Sequence, residues 1–153
     1  MEEMPRDHRP AVSVRILLAG DGGATGGALA LLLGLEPGFA VVAQVDRSAE
    51  VVAAAQERRP DIALLDAVLP DGDGLEATAR LLAEVPECRV LLLTGSGHPG
   101  LADRALAAGA VGLLVKDGPH DELVQAVHRC LTGETVIDPA LLPPADPTAP
   151  PGR

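Results

Sequence analysis

The chain has no tryptophan and no tyrosine, and Phe39 is its single phenylalanine. Base-stacking surfaces are built from aromatic side chains, and no aromatic pair exists to supply one. Lysine is almost as scarce: Lys116 stands alone beside eleven arginines, against 22 acidic residues, for a net charge of −10. Neutralising a phosphate backbone takes a clustered basic face, so this chain is not expected to bind nucleic acid directly. Cys88 and Cys130 are the only cysteines. Their separation lacks metal-ligand spacing, and they read as two buried, reduced thiols of a cytoplasmic protein. No apolar run reaches the length of a membrane span, and the opening "MEEMPRDHRP" is too charged for a signal peptide. Histidine offers little more: His8 and His128 read as surface or helix-end residues, and Pro99 and Pro119 set His98 and His120 in loops.

What is present is Ala, Leu and Val, enough for one hydrophobic core in 153 residues. Four short runs stand out, "VRILLA" (14–19), "DIALLD" (61–66), "RVLLLT" (89–94) and "VGLLVK" (111–116), with "FAVVAQV" (39–45) as a fifth. Near-continuous aliphatic runs of this length predict strands buried on both faces, as in parallel sheets. Helical segments alternate with them. "SAEVVAAAQERRP" offers Ser48 as N-cap and stops at Pro60. "DGLEATARLLAEVP" places Asp73 and Glu76 at capping-box spacing. "HPGLADRALAAGA" has Pro99 near its first turn and Gly109 past its last. "PHDELVQAVHRCLTG" ends on His128, Arg129 and Gly133, where positive charge suits the helix dipole. The first helix opens loosely, since Gly26 and Gly27 each cost about 1 kcal/mol relative to Ala. The order is (βα)5, a doubly wound parallel α/β sheet. Residues 1–12 read as a flexible N-terminus, 13–138 as the domain, and 139–153 as a Pro-rich linker or tail.

In such sheets ligands bind beyond the carboxyl ends of the strands. Those ends carry Gly20-Asp21, Asp46, Asp66, Thr94 and Lys116. Strands 1 and 3 are expected neighbours at the centre of the sheet, which brings Asp21 and Asp66 together. Two hard oxygen ligands beside a phosphate group suit Mg²⁺, which keeps several waters and needs only one or two carboxylates. A lysine opposite supplies a point charge to a phosphoryl oxygen, and a threonine hydroxyl a hydrogen bond. Asp46 alone reads as an ordinary strand end meeting water. Gly20, Gly22 and Gly26 also approach a dinucleotide-binding turn. That spacing is one residue too long, however, and it leaves Asp66, Thr94 and Lys116 without a role.

The stretches "ILLAGD", "PDIALLDAVLPDGDGLEA", "RVLLLTGSG" and "GAVGLLVKDGP", with "GETVIDP" after the last helix, resemble the receiver domain of two-component response regulators. The likeness is greatest to LuxR-type (NarL-like) transcription regulators and covers residues 13–138. It implies a flavodoxin-like fold of strand order 2-1-3-4-5 and a signalling module rather than an enzyme. Asp66 would accept a phosphoryl group from a sensor histidine kinase. Asp21, Asp66 and the backbone carbonyl of Val68 would hold Mg²⁺, and Thr94 and Lys116 would contact the phosphoryl group. The resemblance also implies a cytoplasmic homodimer, with DNA binding left to a helix-turn-helix domain beyond the Pro-rich segment. Two positions depart from the family pattern. Gly20 replaces one acid of the usual pair, weakening the metal site, and Leu113 replaces an aromatic that changes rotamer with the threonine. The alternative is an atypical receiver governed by a ligand or by dimerisation.

Overall fold

The computed structural model describes residues 13–20, 24–116 and 118–142. Asp21, the N-terminal segment 1–12 and the stretch 143–153 lie outside the described residues. Five strands take the expected places: β1 (Val14–Ala19), β2 (Phe39–Val45), β3 (Ile62–Asp66), β4 (Arg89–Thr94) and β5 (Gly112–Val115). Helices α1 (Ala24–Leu35), α2 (Val51–Arg58), α3 (Gly74–Glu84), α4 (Leu101–Ala107) and α5 (His120–Leu131) follow them in turn. All neighbouring strands of the main sheet pair parallel, in the order β2-β1-β3-β4-β5. A sixth strand, β6 (Val136–Ile137), extends the expected order beside β5. Two residues give no readable alternation. The strand exists because Val136 N donates to Val111 O at 2.9 Å, and Asp138 N to Leu113 O at 2.9 Å.

Period-2 alternation splits the aliphatic runs between two cores. Leu17, Ala63, Leu65, Val90 and Leu92 face α2, α3 and α4, while Ile16, Leu18, Ile62, Leu64, Leu91 and Leu93 face α1 and α5. Both faces of the sheet are therefore covered, which is why these strands read as unbroken apolar runs. On the outer strand β2 the register slips between Ile16 and Leu17, whose partners are Val41 and Ala43, leaving Val42 as an extra residue.

The helix ends follow the sequence in part. Asp73 caps α3, its side chain accepting from Leu75 N at 2.7 Å. Gly109 and Gly133 take positive φ just past α4 and α5, as helix-terminating glycines do. Ser48 is not the cap of α2. It opens a 3₁₀ turn, Ser48–Glu50, whose backbone donors go instead to Asp71, with Ser48 N at 2.6 Å and Ala49 N at 3.1 Å. Those two hydrogen bonds, Ser48 N first, hold the Asp71 carboxyl below its ordinary pKa. His120 is also not a loop residue. It is the first residue of α5, with Nε2 3.5 Å from Glu36 Oε1 at the end of the α1 segment. Beyond β6, Pro139–Leu141 form a 3₁₀ turn, and Leu141 packs on the α2–α4 core. Among the described residues no helix is long and apolar enough to cross a membrane.

Candidate phosphoryl-acceptor site

β3 is buried along its whole length, so its last residue, Asp66, is carried inward and is only 6% exposed. A buried carboxylate is costly unless it is paired and hydrogen-bonded. Lys116 answers that cost, with Nζ 3.1 Å from Asp66 Oδ2. The lysine is placed by the sheet. Its backbone N donates to Thr94 O at 2.8 Å, extending the β4–β5 ladder by one residue beyond β5. From there a slim four-carbon stem spans two strands to Asp66, where a forked guanidinium would be bulkier.

Gly20 flanks the same carboxylate from β1. A Cβ on Gly20 would lie 3.2 Å from Asp66 Oδ2, so any side chain at this position would abut the Asp66 carboxylate. Thr94 closes β4, buried, and its Oγ1 donates to Ser96 O at 2.7 Å. In this arrangement the hydroxyl is turned to its own loop and not to Asp66. Val68 is highly exposed, in a two-residue hairpin formed with Asp73 and Gly72. Leu113 is fully buried in the α2–α4 core.

Asp66, Val68, Thr94 and Lys116 thus gather around one cleft of about 780 Å³, which Ser96 and Arg104 also line. Asp46 lies away from it, exposed at the end of β2. Asp21, the other expected metal ligand, falls outside the described residues. The donors that are described, a carboxylate and a peptide carbonyl, are hard oxygens, which suit Mg²⁺ and not a soft metal. Among the described residues no group of three His, Cys, Asp or Glu side chains is assembled for an all-protein metal cage. An ion that keeps most of its waters does not need one.

Three further residues shape the site. Gly74 N donates to Ala67 O at 2.9 Å, and a Cβ on Gly74 would stand 2.0 Å from the Asp66 carbonyl oxygen. Only glycine allows α3 to start this close behind Asp66. Asp71 ties the hairpin loop to the start of α2. Arg104 on α4 lies 3.7 Å from Asp73, joining α4 to the cap of α3. The "PDGDG" motif holds Asp71 and Gly74 in plain sight, but their partners are distant in sequence or are backbone atoms. Composition and spacing therefore did not assign them.

A family model described as the response regulator receiver domain matches residues 16–128. The chain is 34% identical over 128 residues to the uncharacterized transcriptional regulatory protein YvfU of Bacillus subtilis, covering 84% of this chain and 64% of that protein. It is 37% identical over 125 residues to the DNA-binding transcriptional activator DevR/DosR of Mycobacterium tuberculosis, covering 82% and 58%. The match thus spans less than two-thirds of these curated relatives. Among solved structures, a LuxR-family two-component response regulator from Aurantimonas sp. superposes with a TM-score of 0.79 at 32% identity, over 84% of this chain and 92% of that one. The NarL signal receiver domain of Mycobacterium tuberculosis gives 0.75 at 31%, over 80% and 98%. An acceptor-like carboxylate at the end of β3, paired with the lysine after β5 in a doubly wound sheet, thus occurs in a chain that belongs to the response regulator receiver domain family.

Proposed function

We propose that this domain is a phosphorylation switch in which Asp66 accepts a phosphoryl group from the phosphohistidine of a sensor kinase. The observation that supports this reading best is the buried Asp66 carboxylate held 3.1 Å from Lys116 Nζ. In the transfer an Asp66 carboxylate oxygen forms a bond to phosphorus as the N–P bond of the donor breaks. The electron pair of that bond stays with the departing imidazole, which takes up a proton. Lys116 stabilises the negative oxygens during transfer and in the acyl phosphate. Receiver domains bind Mg²⁺ at their acidic site; here Asp66, Asp21 and the Val68 carbonyl would hold it, and it would offset phosphoryl charge.

The acyl phosphate adds charge beside Lys116, and Thr94 becomes its nearest hydroxyl once the Ser96 hydrogen bond is released. Leu113, being apolar and fully buried, has no polar or aromatic part to follow that movement. The β4–α4 loop and the Arg104–Asp73 contact are therefore the elements that report it. The output in this reading is transcription in the cytoplasm, delivered by a helix-turn-helix domain joined through the Pro-rich segment. The module turns over no substrate of its own. The partner beside the kinase is a second copy: α1 bears no charged residue and exposes Leu31 and Leu35, the kind of face that pairs copies of an acidic protein.

Intact mass after incubation with Mg²⁺ and a small phosphodonor tests the reading, with Asp66→Asn as control. One phosphoryl increment on the parent and none on the variant is the expected result. An unlabelled parent, under conditions that label an ordinary receiver, would overturn it.

A further inference from the structure

After α5 the stretch "VIDPALL" (136–142) returns to the sheet as β6 and a 3₁₀ turn. Its strand residues divide between the cores, Val136 on the α1/α5 side and Ile137 on the α2–α4 side, as period-2 alternation requires. The turn is then fixed from within. Asp138 Oδ1 accepts from Ala140 N at 2.9 Å, Leu141 N donates to Asp138 O at 2.8 Å, and Pro139 brings a preset φ to the first turn position. Leu141 is thereby carried over β5 to the loop between β4 and α4. The three heavy atoms nearest to a would-be Cβ on Gly97 all belong to Leu141, with Cδ2 at 2.6 Å. A side chain at Gly97 would displace the leucine. Leu142, the next residue, is 47% exposed. Gly97 directly follows Ser96, whose carbonyl accepts the Thr94 hydroxyl at 2.7 Å. One short loop therefore holds the Thr94 rotamer at one end and Leu141 at the other.

We propose that Leu141 is a clasp on the β4–α4 loop. While it is seated, the loop keeps the arrangement in which Thr94 bonds Ser96; when that bond is released, the turn Pro139–Leu141 comes free. Coupling of this kind is reciprocal. Whatever loosens the Thr94–Ser96 bond loosens the turn, and unseating Leu141 frees Thr94 to rotate. The signalling use of the clasp rests on the phosphoryl-acceptor reading, in which the acyl phosphate draws Thr94 away; the coupling itself does not. In that reading the clasp carries the switch out of the domain by a route that needs no aromatic in place of Leu113. The route ends where the Pro-rich stretch begins.

Amide hydrogen exchange, resolved residue by residue by NMR on the full chain, tests the coupling without any phosphodonor. Ala140, Leu141 and Leu142 report the turn, through their donors to Asp138 and Pro139. Val136 and Asp138 report the β6 ladder, through their donors to Val111 and Leu113. Thr94→Val removes the hydroxyl that bonds Ser96. It should speed exchange at the turn amides about threefold to tenfold, the equivalent of one lost hydrogen bond, and leave the ladder amides unchanged. Leu141→Ala should speed the same amides, and adding Thr94→Val to it should change nothing more. Gly97→Ala, which unseats Leu141 and leaves the Thr94 side chain as it is, should do the same and serves if Thr94→Val does not fold. Three results would each overturn the clasp: turn amides unmoved in the folded variants, ladder amides that speed up with them, or additive effects in the double variant. The parent with Mg²⁺ and a small phosphodonor is measured alongside. A labelled parent should show the faster turn amides, and one that does not overturns the signalling use. An unlabelled parent overturns the phosphoryl-acceptor reading and leaves the variants to decide the clasp.

Discussion

Gly20 and Lys116 approach one carboxylate from different strands, and their chemistry sets its charge balance. Gly20→Asp would place a second carboxyl against Asp66, and like charges in contact disfavour each other's ionisation. Without divalent ions we expect the variant to lose about 1–2 kcal/mol. With millimolar Mg²⁺ we expect its melting temperature to rise more than the parent's. An equal Mg²⁺ response in the two proteins would show that position 20 does not border the metal. The cysteines give a second prediction at this scale. Burial pushes the Cys88 thiol up from 9.0 to about 12, helped by the nearby negative charges of Asp61 and Glu87, and Cys130 up to about 11. The unfolded chain ionises its thiols first, so stability is fully present below about pH 9 and falls from there toward pH 11–12. With no tyrosine and a single lysine in the chain, few other groups titrate in that window. Urea midpoints at pH 8 and pH 10.5 should differ, and Cys88→Ala should shrink the difference. A midpoint independent of pH would contradict the burial of the thiols.

At the scale of elements the glycines separate structural demand from mere tolerance. Gly74 opens α3 against the back of β3, and a methyl group there meets the Asp66 carbonyl oxygen at 2.0 Å. Gly34 lies in α1 with nothing within 4 Å of its would-be Cβ. Gly74→Ala should therefore destabilise by about 2–4 kcal/mol and displace Asp66. Gly34→Ala should stabilise by about 0.5–1 kcal/mol through helix propensity. Denaturant titration of both variants checks the contrast, and a tolerated Gly74→Ala would mean that α3 can back away from Asp66. The same contrast explains what the sequence made legible. Strands β1, β3, β4 and β5 were readable because both faces are buried, and Asp66, Thr94 and Lys116 because they close those runs. Asp71 as the partner of Ser48 was not readable, since the Ser48 donor and the acceptor are 23 residues apart and the donor is main chain. Nor was β6, whose two residues are held by backbone atoms of the β5 segment. That Thr94 turns toward Ser96 is a rotamer, and composition carries no rotamers.

The whole molecule carries a net charge of −10, so its parts repel one another and so do its copies. Raising ionic strength from about 0.02 M to about 0.5 M shortens the screening length several-fold and weakens that repulsion. If copies pair as proposed, melting temperature and the dimer fraction in sedimentation should rise together over this range. A flat response in both would place the charges too far apart to matter. The outer strand β2 makes a further demand on the fold. "FAVVAQV" is seven residues without a charge or a proline, on the open edge of the sheet, a composition prone to amyloid-like stacking. The extra residue at Val42 bends this edge and breaks the straight row of donors and acceptors that a second chain would need. Deleting that one residue would leave the core in place and turn the edge into a template for aggregation.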